Sequence, residues 1–195
     1  VRRPPIAAYA AAVAMAAATV SMLEPVVSLW LGTTIALSPS RIGLVFGAGA
    51  LVATVCHPIF GRLADRWGGR RLTMLGLVAV ALILPVLSLA DAFGTAMIAY
   101  ALEAAAIALV VTPSLAYMAD VFSTAGGTGP GVVYGIYNVA WGVGLLFGPS
   151  VGGFAFDRVG FSRLAWGWAL CAFLAAVVLW CATEPERTRR LRPAS

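Results

Sequence analysis

An all-α membrane protein of six transmembrane helices, arranged as a 3+3 inverted repeat, is the fold class this sequence predicts. Three observations predict it. The first is solvation: of 195 residues, 61% are hydrophobic and only 11% are charged, whereas a soluble domain is roughly a quarter charged. The second is length, because the apolar residues fall into runs near or above the roughly 20 residues needed to span a bilayer. The third is repetition. Gly61-x-x-x-Asp65-Arg66-x-Gly68 recurs as Gly153-x-x-x-Asp157-Arg158-x-Gly160.

The six runs cover residues 6–37, 42–63, 72–90, 94–122, 131–156 and 162–183, and a tail of residues 184–195 follows. Together they read as one six-helix domain over residues 1–195. The first run opens after Arg2-Arg3 and contains Glu24-Pro25; it is too long for a signal peptide and reads as a spanning helix. Val1 is not a methionine, so the chain reads as beginning within a longer product. The second run ends at a charged loop, Gly61 to Arg71, that carries Arg62, Arg66, Arg70 and Arg71. The third run is short and uncharged. The fourth contains Glu103 and Thr112-Pro113, and the fifth contains Gly144, Gly148, Pro149, Gly152 and Gly153.

Orientation follows from arginine, since the chain has no lysine and its net charge of +5 is carried by arginine alone. With the amino terminus inside, ten arginines fall on the cytoplasmic side and Arg41, Arg158 and Arg163 fall outside. That satisfies the positive-inside rule and puts both termini in the cytoplasm. The two triplets match in register. A proline precedes each Asp-Arg motif (Pro58 and Pro149), and a proline interrupts the first helix of each triplet (Pro25 and Pro113). Inverted triplets of this kind are nested within the halves of secondary transporters.

Charged and polar residues inside the runs are the candidates for function. Glu24 and Glu103 are the acidic residues deep in apolar sequence, where a charge is costly and usually faces a cavity. Counted from the outer ends of their helices they reach similar depths, at about 1.5 Å per residue. Either they carry a proton or face a cationic substrate, or they are neutral acids hydrogen-bonded between helices. Tyr134, Asn138, Trp141 and Leu145 form a stripe at helical spacing, a substrate wall or a helix interface. Gly144, Gly148 and Gly152 recur every four residues and make a groove for close helix packing. His57, the sole histidine, reads as a packed side chain with one partner or as a proton relay. Thr112-Pro113 reads as a helix break that frees carbonyls for a site, or as a packing kink.

In the Gly61–Arg71 segment, Asp65 can accept hydrogen bonds from a neighbouring helix amino terminus, and Arg66, Arg70 and Arg71 can pair with it or with lipid phosphates. Such a contact makes a cytoplasmic latch if it exists in one conformation only; otherwise the segment, with Gly61 and Gly68, is a tight anchored turn. Cys56, Cys171 and Cys181 lie in apolar runs without metal or redox spacing. The sequence carries no hydrolase elbow, phosphate-binding loop or histidine pair, so neither an enzyme nor a bound cofactor or metal is expected. No arginine–aromatic stripe suggests nucleic acid.

The Gly61–Arg71 pattern resembles the signature loop of the major facilitator superfamily, with Gly69 standing where that family has a basic residue. Gly144-x-x-x-Gly148-Pro149-x-x-Gly152-Gly153 resembles the motif of the fifth helix in its antiporters. Met22-Leu23-Glu24-Pro25 and the stretch from Tyr134 to Asp157 resemble vesicular amine transporters and related drug:proton antiporters. The resemblance implies the carboxy-terminal half of a twelve-helix fold, and a proton-coupled efflux antiporter for a small cationic or amphipathic solute. Its partners would be protons, the lipid bilayer and a second six-helix half, in the same chain or another subunit. It departs from the amine transporters at Asn138 and at Ala108–Thr112, where they carry acids. The arginine-only, alanine-rich composition points to a bacterial inner membrane. A symporter or facilitator of the same fold, and a truncated module that does not transport, are the competing readings.

Overall fold

The computed structural model of the chain describes residues 6–124 and 130–183. Among them are five helices: α1 (Ile6–Thr33), α2 (Pro39–Trp67), α3 (Gly69–Leu87), α4 (Phe93–Thr124) and α5 (Pro130–Thr183). Each is long and apolar enough to cross a membrane. Helix is the form that closes backbone hydrogen bonds within one segment, which lipid requires.

Two expected runs, 131–156 and 162–183, are joined in α5. At 54 residues α5 would extend about 80 Å if straight, far beyond a hydrocarbon core of about 30 Å. It is not straight. Gly160 has φ 75° and ψ 172°, outside the helical region. Side-chain contacts show the reversal: Gly148 faces Ala18 and Ser21 of α1, while the Trp168 indole Nε1 donates to Thr19 Oγ1 at 3.0 Å. Residues 148 and 168 would stand about 30 Å apart on one straight helix, yet both meet the same turn of α1. So α5 has two antiparallel arms joined at a glycine that can take positive φ.

Three further expectations are corrected. The prolines do not break their helices, since α1 runs through Pro25 and α4 through Pro113. A proline costs a helix one hydrogen bond, and neighbouring helices hold the ladder together around it. The charged segment 61–71 is not a loop. α2 continues through Asp65 and Arg66 to Trp67, and α3 begins at Gly69, leaving Gly68 at φ 85° as the single hinge residue. The first run ends early, at Thr33; the Leu37 amide donates to the Leu31 carbonyl at 3.0 Å and turns the chain into α2.

α1 lies against both arms of α5, and α4 lies between α2 and α3. Close approach depends on glycine. Gly76 of α3 abuts the backbone of Leu109 and Val110, and Gly69 abuts the Pro113 carbonyl and Tyr117. Increasing numbers on α3 meet decreasing numbers on α4, so that pair is antiparallel. Gly49 and Gly61 of α2 meet Tyr100 and Thr112 in turn, so α2 and α4 run parallel. The core is formed by Tyr9, Leu23, Leu31, Leu77, Leu84 and Leu179 with their neighbours. The outer surface of α2 presents Leu44, Leu51, Val55 and Ile59, all exposed.

Candidate functional site

α1, α2, α4 and the first arm of α5 converge on one open concavity of about 160 Å³, lined among others by Val20, Ala53, His57, Ala108, Val111 and Trp141. α3 contributes nothing to that lining. The walls are small or apolar, with two polar-capable rings, His57 and Trp141. His57 Nδ1 lies 2.7 Å from Thr112 Oγ1, so one hydrogen bond ties α2 to α4 at the wall. Trp141 stacks on Tyr137, with centroids 6.3 Å apart and planes within 11°. A flat aromatic pair beside an imidazole suits a small amphipathic or cationic guest.

The two buried-sequence acids part company. Glu24 is exposed, one turn beyond Val20 and on the same face of α1, and its own carbonyl accepts a 2.7 Å bond from Ser28 Oγ. Glu103 is fully buried, and neither carboxyl oxygen has a hydrogen-bond partner among the described residues. Tyr100 lies one turn before Glu103 on α4 and near both carboxyls. Its ring lies against Gly49 and meets Phe46 edge-on at 4.8 Å.

On α5, Tyr134 and Asn138 are exposed on the turns before Trp141, which is half-buried. Gly144, Gly148 and Gly152 face Ala14–Met22 of α1, where Ser21 Oγ also reaches the Gly144 carbonyl at 3.3 Å. Pro149 is half-buried, and Gly153 has open space where a side chain would project. At the end of the bundle that holds the α2–α3 hinge, Asp65, Arg66 and Arg71 are exposed. Asp65 makes no hydrogen bond or ion pair among the described residues. Arg70 is half-buried, with its guanidinium 5.7 Å above the Trp180 ring. A side-chain carbon added at Gly61 would meet the Thr112 methyl at 3.7 Å. At the opposite end, Arg41 lies over Phe93 at 5.9 Å and Arg158 over Phe154 at 4.5 Å.

Sequence reasoning passed over Tyr100, Tyr137 and the role of Thr112 as partner to His57. Spacing held a signal for the first two, since Tyr100 precedes Glu103 by three residues and Tyr137 precedes Trp141 by four. Nothing in the spacing of residues 57 and 112 tells that they meet.

Comparison with known proteins bears on what such a cavity does. Residues 9–195 match the Major Facilitator Superfamily. The chain is similar to the rat chromaffin granule amine transporter, 30% identical over 166 residues, covering 83% of this chain and 31% of that protein. It is similar to the human MFS-type transporter SLC18B1, 24% identical over 188 residues, covering 89% of this chain and 41% of that protein. It is also similar to the mouse vesicular acetylcholine transporter, 29% identical over 185 residues, covering 90% and 34%. The chain thus spans roughly a third of the length of the curated relatives it matches.

Proposed function

The chain belongs to the Major Facilitator Superfamily, and from that premise we propose that it supplies half of a proton-coupled secondary transporter that exports a small cationic or amphipathic solute. The observation that carries the proposal is the convergence of α1, α2, α4 and the first arm of α5 on a concavity with Trp141 and His57 in its wall and Glu24 one turn along the same face. The names of the amine and acetylcholine transporters among its relatives support a cationic solute.

In this reading α5 spans the membrane twice, and the six spans form two inverted triplets with both termini cytoplasmic. The half rocks against a second six-helix half, with the solute and protons exchanged at the midplane between them. Glu24 meets the cation or carries the proton, with Glu103 behind it. Tyr134, Asn138 and Trp141 form one wall. Gly61, Asp65, Arg66, Gly68, Arg70 and Arg71 gate the cytoplasmic side. Efflux, breadth of substrate and a bacterial inner membrane belong to this proposal as well; the named relatives are mammalian.

The test is transport driven by a pH gradient in vesicles containing the whole transporter. Glu24→Gln abolishes uptake of a fluorescent organic cation while the protein keeps its unfolding midpoint. Wild-type transport by the Gln variant refutes the role given to Glu24. Uptake that ignores the pH gradient in the wild type would instead favour a facilitator.

A further inference from the structure

Glu103 is the one acid among the described residues with both carboxyl oxygens buried and unpartnered. Buried side-chain polar atoms in folded proteins are nearly always hydrogen-bonded, so the exception asks for an explanation. A structural ion pair does not supply one. On α1 the nearby ionisable group is Glu24, of the same sign. On α2, between Arg41 and Arg62, the ionisable residues are Cys56 and His57. His57 is bound at Thr112, nine residues further along α4 and about 13 Å away. α3 has no ionisable residue from 72 to 90, and the first arm of α5 offers tyrosines. Among the described residues, a negative charge at Glu103 would have neither donor nor counter-charge.

We propose that Glu103 is the group that takes up and releases the coupled proton in this chain, with Tyr100 as its gate and link to Glu24 and the cavity. The inference rests on the transport reading for its purpose, though its readout needs no transport. The geometry of the gate is specific. Tyr100 sits one turn before Glu103, with its ring closing on Gly49 at the α2–α4 seam, and it lies near both the exposed acid and the buried one. When that seam loosens, the hydroxyl can turn to accept the Glu103 proton while donating its own towards Glu24 or water. The O–H bond broken on Tyr100 is replaced by the one formed, so the phenol ends unchanged and the proton has moved outward. In the conformation seen here the link is disconnected, and the acid is sealed.

Infrared spectroscopy of the protein in a maltoside detergent, which has no carbonyl of its own, tests this without substrate. At neutral pH the wild type is expected to show the carbonyl stretch of an unbonded carboxylic acid. The band is lost in Glu103→Gln, kept in Glu24→Gln, and shifts down in heavy water as the acid exchanges. Tyr100→Phe slows that exchange several-fold. Absence of the band, or its survival in Glu103→Gln, overturns the assignment. A band that never exchanges marks a permanently neutral structural acid and overturns the carrier role, and an unchanged rate in Tyr100→Phe removes the gate. If Glu103→Gln does not fold, Glu103→Asp displaces the band's frequency and makes the same assignment. Since no solute is added, failure of Glu24→Gln to alter transport leaves this readout intact.

Discussion

Replacing Gly144 by alanine should destabilise the protein, although alanine is the better helix former. A Cβ built there lies 2.6 Å from the Ala17 Cβ and 2.7 Å from the Ala18 nitrogen, and it also meets the Ala14 carbonyl oxygen. None of these atoms can rotate away, because two belong to the α1 backbone and the third is fixed to it. Carbon atoms settle about 3.5–4.0 Å apart, so the first arm of α5 must retreat from α1 by about 1 Å. Overpacking of this kind costs about 1–3 kcal/mol. The control is two residues away. Gly142 has nothing within 4 Å of its added Cβ, and alanine there gains up to about 1 kcal/mol in helix propensity. The propensity gain is common to both variants and cancels, so they should differ by about 1–3 kcal/mol, read as unfolding midpoints in detergent by circular dichroism. Equal midpoints would refute the tight α1–α5 seam.

Two smaller perturbations test the contacts that frame the cavity. Thr112→Val keeps the side-chain shape and removes the partner of His57 Nδ1, costing about 1 kcal/mol of stability; Thr112→Ser should restore it, and a Ser variant as unstable as Val would show the hydroxyl to be irrelevant. Trp180→Leu removes the ring under Arg70 and should cost about 0.5–1 kcal/mol, while Trp180→Phe retains most of that. Thermal midpoints of the three chains side by side decide it.

The existence of the helices was legible in the residues because lipid makes secondary structure a local matter. Any apolar run long enough must close its hydrogen bonds within itself. The joint between the last two runs differed: helical turns continue up to the Gly160 break, through the gap between the runs that end at 156 and begin at 162. The Asp65 segment misled in the same way, since charged residues are good helix formers and one glycine is enough for the reversal. Prolines read as breaks proved internal to α1 and α4, where packing against neighbours compensates the missing amide.

The sequence by itself determined that the chain is helical, solvated by lipid and polar at a handful of internal positions. It could not rank those positions. Glu24 and Glu103 look alike in sequence, each alone in apolar surroundings, because the lipid-facing side of a membrane helix is as apolar as the core and no amphipathic stripe tells the faces apart. Tertiary packing made the difference. It turned Glu24 outward beside the cavity, buried Glu103, and brought His57 to Thr112 across 55 residues of chain.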